Sequence, residues 1–317
     1  MGPPMRTATI HSPSRVAVTT DAGVKVFTIR NEEIELCVVP AVGAKVISLR
    51  NLQSGREWFY SSAKHRKIFT NQPGDDFAHS PVAGWDECLP TIAPCHWDQR
   101  ALPDHGEVWA IPWVLDETAW RQKRITTYVR LPLSPLRFTR TIAIESNVVL
   151  VDYDLENLSE TPQSYLWAMH PLLAVQAGDQ LELPPEAQPL LATQPWLQSL
   201  EFGTQATQCA KAFVSPLRAG RVAVCNRDTG DRLAFSWDAR VCPALGIWLT
   251  RGGWHGHHHL ALEPTTTAHD SLAGAASDER GLIPPRRKKS WRVQLQLTPP
   301  DAPRVPEPPP LPVDDSL

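Results

Sequence analysis

Apolar and polar residues alternate along most of the readable chain. Val24 to Arg30 and Ile34 to Val39 carry the two-residue period of a strand with one buried face, and Asn31-Glu32-Glu33 between them reads as a hairpin turn. Pro40 to Gly43 turns the chain, Ala44 to Leu49 forms another strand, and Glu57 to Tyr60 follows as a short apolar one. From Arg121 to Leu155 the segments RITTYVRL, LRFTRTIAIE and VVLVDYDLEN read as strands joined by Pro132-Leu133-Ser134-Pro135 and Ser146-Asn147. Tyr165 to Leu173 is an apolar run with His170 at a strand end set by Pro171. Val222 to Cys225, Arg232 to Trp237 and Leu245 to Thr250 continue the series, and Gly252-Gly253 breaks it. His258 to Leu262 alternates again and is expected to stop at Glu263-Pro264, and Trp291 to Leu297 is a closing strand. Residues 61–83 are irregular, 176–220 carry weak strands at most, and Gly84 to Ile92 has neither period and reads as a loop. The pattern is a meander of short strands with few short helices, not a βαβ series, and it holds no phosphate-binding glycine loop.

Composition agrees with an all-β chain. Thirty-one dispersed prolines argue against long helices. The chain has 317 residues, which one large β-sandwich can absorb. The expected organisation is a flexible lead-in at 1–15, a single domain at 16–298 and a proline-rich, disordered tail at 299–317. A net charge of −3 and a pI near 6.4 point to no nucleic-acid or membrane partner. Arg286 to Lys289 reads as a solvated turn. The six cysteines show no metal spacing and read as reduced thiols, and no apolar segment suits a signal peptide or a span, so a cytoplasmic protein is expected.

Twelve tryptophans against four tyrosines change the picture. A flat ring with one N–H can pack on the apolar face of a sugar, and core packing accounts for about half of them. Trp85, Trp109, Trp167, Trp248 and Trp254 fall in segments that also carry ionisable groups. His105 lies in a glycine-containing loop, and His170 and Glu263 lie at strand ends. Two imidazoles and one carboxylate suit acid/base chemistry. Asp86 and Glu87 add acceptors for hydroxyl groups. No serine or cysteine sits in a nucleophile elbow. His255, His257, His258 and His259 offer a metal reading, but Gly253 and Gly256 suggest a turn there and no metal or cofactor is expected.

At these residues the chain resembles the aldose 1-epimerase (galactose mutarotase-like) family. The matching segments are VPAVGA at Val39 to Ala44 with KVISL after it, PVAGWDECLPTIAP, DHGEVWAIPW, WAMHPLL, LGIWLTRGGW and LALEPTTT, in an order that spans about residues 30–297. The resemblance implies a large antiparallel β-sandwich and an isomerase acting on a free aldose. It implies Glu263 as the base at the anomeric hydroxyl, His170 as the acid at the ring oxygen and His105 as a second histidine holding the sugar. Trp85, Asp86, Glu87, Trp109, Trp167, Trp248 and Trp254 are the expected sugar contacts. The family's Tyr-Phe pair after the acid histidine is replaced here by Pro171-Leu172-Leu173. Ala83 and Trp109 stand where hexose-phosphate relatives carry arginines, which favours a neutral sugar. The alternative is a non-catalytic carbohydrate-binding protein on the same scaffold. The oligomeric state is left open.

Overall fold

Strict alternation makes Leu136–Glu145 and Val148–Asn157 a ten-residue hairpin in which every second side chain is buried. In the computed structural model, which describes residues 14–63, 68–198, 200 and 208–298, this hairpin lies in one of two large antiparallel sheets. Its sheet runs Asp179–Glu182, Gly220–Asn226, Arg232–Trp237, Lys288–Thr298, Val148–Asn157, Leu136–Glu145, Ile125–Arg130, Val114–Leu115. The other sheet runs Arg15–Asp21, Val24–Arg30, Ile34–Val39, Lys45–Asn51, Trp85–Cys88, Ala168–Leu173, His258–Thr265, Ala244–Arg251, Gln208–Val214. The α-helices among the described residues are short, Glu117–Arg121 and Gln188–Thr193. None is long and apolar enough to cross a membrane. The all-β sandwich expectation is met. The expected tail lies outside the described residues, as does most of the lead-in, although Arg15 already opens a strand.

The sheets meet over a continuous apolar core. Phe138, Tyr153 and Trp291 stack at its centre, and Trp167 packs edge-on against Trp291. One ionic group is sealed among these rings. Arg140 lies under Trp85 and Trp113 and pairs with Glu87 at 3.0 Å. Tyr153 Oη and Trp167 Nε1 also donate to Glu87, at 3.0 and 2.9 Å. Burial pushes the Glu87 carboxyl up to about 7, against the pull of Arg140 and the two neutral donors.

Three expectations change here. Trp85–Cys88 is a strand rather than a loop, and it shows no period because all four residues are buried. The strand after Ala168 runs through Pro171 to Leu173, and the one after His258 runs through Pro264 to Thr265. Each proline removes one donor from the ladder, yet partner strands on both sides keep these segments in the sheet.

Glu87 makes stability depend on pH in a definite direction. The folded protein holds this proton more tightly than the unfolded chain does, so the contribution is complete below about pH 4.5 and is lost as pH rises toward 7. Urea denaturation of wild type and Glu87→Gln across this interval is expected to show the wild-type advantage shrinking with rising pH. A constant difference would contradict it.

Candidate active site

The site is built on one row of residues that crosses the larger sheet. Ala168 pairs with Thr265 and Leu172 with Ala261, a register that sets His170 opposite Glu263. His170 also pairs with Asp86, and Glu263 with Gly246. Residues directly opposite one another point to the same face. Asp86, His170 and Glu263 therefore stand side by side on the face turned away from the core. Pro171 and Pro264 flank this point, and between Ala168 and Leu172 the two strands make no paired contact. Thr265 Oγ1 donates to Trp167 O, and Trp167 N donates to Thr266 Oγ1, which pins the strands where the ladder resumes. Gly246 leaves room at the end of the row, since a Cβ there would come within 2.9 Å of Glu263 Oε2.

His105 arrives from a loop held on several sides. Its backbone N donates to Ile92 O at 2.6 Å, and its φ of +56° is followed by Gly106 at +76°. A Cβ on Gly106 would meet Leu89 O at 2.2 Å, so this turn requires glycine. Glu107 accepts from Ser134 N and Ser134 Oγ, tying the loop to the turn between Ile125–Arg130 and Leu136–Glu145 of the other sheet. Asp104 accepts from Phe77 N at 2.8 Å and pairs with His105 Nδ1 at 2.9 Å. Burial pushes the Asp104 carboxyl up, but His105 and the Phe77 N–H more than offset this and hold it below the usual carboxylate range. An ionised carboxylate only accepts, so the proton lies on Nδ1 and His105 Nε2 is left for the cavity. The imidazole stacks on Phe77 at 3.9 Å and meets His170 edge-on at 4.9 Å.

These groups open onto a cavity of about 630 Å³. His105, His170, Glu263, Trp248 and Trp254 line it together with Phe77, Asp104, Lys211, His259 and Asp270. Trp248 and Trp254 form a perpendicular aromatic corner, 5.9 Å between centroids. His170 Nε2 is 3.9 Å from Glu263 Oε1, too far for a hydrogen bond. Burial, reinforced by the neighbouring His105 and Lys211, holds His170 well below the ordinary histidine range. The resting imidazole is neutral. Glu263 is fully buried, and its ionic partner is Lys211 at 3.1 Å. Lys211 also reaches Asp270 at 2.6 Å. Burial pulls the Lys211 ammonium down, but the two carboxylates outweigh it and hold the group above the usual lysine range.

The structure brings His105, His170, Glu263, Trp248 and Trp254 together around the cavity, and the remaining expected contacts do not line it. Trp109 lies buried beneath Phe77 and donates its N–H to Asp104 O. Asp86 is wholly buried and bound by Lys45, so its expected role as a sugar contact is corrected to an ion pair beside His170. Trp85, Glu87 and Trp167 are wholly buried in the core. Alternation along Trp85–Cys88 sends Trp85 and Glu87 inward while Asp86 and Cys88 face outward. The expected sugar contacts at Trp85, Glu87 and Trp167 are corrected accordingly. Within the histidine run, His257 Nδ1 bonds Tyr60 Oη, and His259 Nε2 accepts from Trp248 Nε1. Burial brings His259 down to about 3, so it too is neutral.

Phe77, Lys211 and Asp270 were not foreseen. Lys211 carries the one available signal, a charged residue inside the otherwise apolar run CAKAFV. Phe77 sits in an aperiodic segment, and Asp270 acts through a fold-back in which its carbonyl accepts from Ile92 N and Ala93 N. Removing Lys211 leaves Glu263 buried without its counter-ion. Lys211→Met is expected to cost about 3 kcal/mol, in the range for breaking a buried pair, with most of it recovered by adding Glu263→Gln. Losses in urea denaturation that simply add would contradict the pairing.

No family model matches the chain, and no curated protein matches its sequence. Solved structures do match. A provisionally named aldose 1-epimerase from Klebsiella pneumoniae superposes with a TM-score of 0.71 at 16% identity, covering 88% of this chain and 80% of that one. A galactose mutarotase-like protein from Clostridium acetobutylicum gives 0.64 at 12% identity, with 90% and 98% covered. A galactose mutarotase related enzyme from Lactobacillus acidophilus gives 0.62 at 12% identity, with 88% and 100% covered. At such identities the likeness is one of architecture, and the resemblance read from the sequence motifs holds at that level: the chain has the galactose mutarotase-like fold.

Proposed function

We propose that the protein interconverts the anomers of a free, non-phosphorylated aldose by general acid/base ring opening and closure. The observation that carries this reading is the facing pair His170 and Glu263, 3.9 Å apart at the bottom of an aromatic-walled cavity. Glu263 takes the proton of the C1 hydroxyl. The electron pair forms the C1 carbonyl as the C1–O5 bond breaks, and protonated His170 delivers its proton to O5. Rotation about C1–C2 exposes the other face of the aldehyde, and the same proton transfers in reverse close the ring. A ring oxygen is a very weak base, so a strong acid is needed to protonate it. An imidazolium disfavoured by burial is such an acid, present as a minor form.

The other groups serve placement. His105 Nε2, with its ring fixed by Asp104, accepts from a sugar hydroxyl. Trp248 and Trp254 receive the apolar face of the ring. Among the described lining residues Lys211 is the single lysine or arginine, and Glu263 and Asp270 already hold it. A phosphate would find no free cation there, which supports a neutral sugar.

Saturation-transfer NMR on a panel of free aldoses tests the reading. Wild type is expected to accelerate anomer exchange for at least one of them and not for the 6-phosphates. Glu263→Gln is expected to lose about 10²–10⁴-fold of that acceleration. A Glu263→Gln protein with the full rate would sink the assignment. Sugar-induced tryptophan quenching without any acceleration would also contradict it and identify a carbohydrate-binding protein.

A further inference from the structure

We propose that the floor of the cavity also binds one thiophilic divalent transition-metal ion, typified by Zn²⁺, through Cys88 Sγ, His105 Nε2 and a ring nitrogen of His170. This departs from the expectation drawn from the sequence, which found no metal spacing among the cysteines and weighed a metal at the His255–His259 run. The three residues come from the strand Trp85–Cys88, the Asp104–Gly106 turn and the strand Ala168–Leu173, and the Cys88 sulfur and one ring nitrogen of each histidine lie within 4.8 Å of one another. Cys88 stands opposite Ala168, two residues from His170 on the same face. Around tetrahedral zinc, bonds of 2.0–2.3 Å put ligand atoms about 3.5 Å apart, so side-chain rotations closing about 1 Å complete the site.

Two further observations point to a ligand. His105 already has the support that metal-bound histidines carry, its Nδ1 held by a carboxylate and its Nε2 directed away. His170 Nδ1 is buried without a hydrogen-bond partner, and its Nε2 makes only the 3.9 Å approach to Glu263. Both imidazoles can bind a metal in the neutral form. Cys88 lies against Ile92, Leu166 and Leu272. A thiol must lose its proton to ligate as a thiolate, so metal binding releases one proton from Cys88 to solvent and forms one metal–thiolate bond. The fourth position falls to water or to Glu263.

An ion in this place holds both histidines, so metal and aldose exclude one another. That consequence rests on the function proposed above, whereas the binding itself does not. The test uses tag-free, chelator-treated protein titrated with Co²⁺, followed by its near-ultraviolet thiolate-to-metal absorption, then displaced by Zn²⁺. One equivalent is expected to raise the band and Zn²⁺ to abolish it. Cys88→Ser is expected to remove the band, and Asp104→Asn to weaken Co²⁺ binding about 10–100-fold, the usual effect of losing the partner of a metal-bound histidine. Circular dichroism checks that each variant folds, and the half-buried His105→Ala, also expected to lose Co²⁺, replaces Cys88→Ser if that protein does not fold. No band with wild type, or a band that survives in a folded Cys88→Ser or His105→Ala protein, would overturn the proposal.

Discussion

The register between Ala168–Leu173 and His258–Thr265 is the constraint on which the site depends. It sets His170 across from Glu263, and no loop has to be ordered to bring them together. A slip of either strand by one residue would turn its own side chain, His170 or Glu263, into the core and bring Met169 or Leu262 out in its place. The threonine hydroxyls at Thr265 and Thr266 hold the register at one end through Trp167, and apolar pairing at Leu172 and Leu173 holds it at the other. Between these anchors the two prolines interrupt the ladder beside His170 and Glu263. A rigid sheet thus supplies position.

Charge is divided by the same alternation. Inward, Glu87 and Arg140 satisfy each other among stacked aromatic rings. Outward, Lys45 holds Asp86 on one side of His170, and Lys211 holds Glu263 on the other. His170 is therefore flanked by paired ions and stays neutral through burial. A lone carboxylate beside it would have drawn it toward the charged form. Lys211 leans on Asp270 as well as on Glu263, so this cation is shared by two carboxylates and offers little to an anionic ligand.

Much of the fold was legible in the sequence, and the reasons are specific. Leu136–Glu145, Val148–Asn157 and Arg232–Trp237 are half-buried strands, and their alternation marks their limits. Trp85–Cys88 is buried on both faces and shows no period, so a strand looked like a loop, and Glu87 and Asp86 looked equally available. Pro171 and Pro264 looked like strand ends because a donor is lost, whereas pairing on both sides carries the strands past them. That His105, His170, Glu263, Trp248 and Trp254 would share one cavity was legible from residue chemistry and motif order. Lys211 and Asp270 were not, because their meaning lies in a three-way contact among segments far apart in the chain. Eight of the twelve tryptophans proved to be buried, so ring count was a better guide to the core than to the cavity.

The central claim is that His170 and Glu263 address the anomeric centre of a sugar. A crystal structure of the Glu263→Gln protein soaked with the aldose that wild type turns over tests it most directly. The account predicts the ring against Trp248 or Trp254, O5 within about 3 Å of His170 Nε2, and the C1 hydroxyl within hydrogen-bond reach of residue 263. A sugar bound with its anomeric carbon away from both side chains would contradict it.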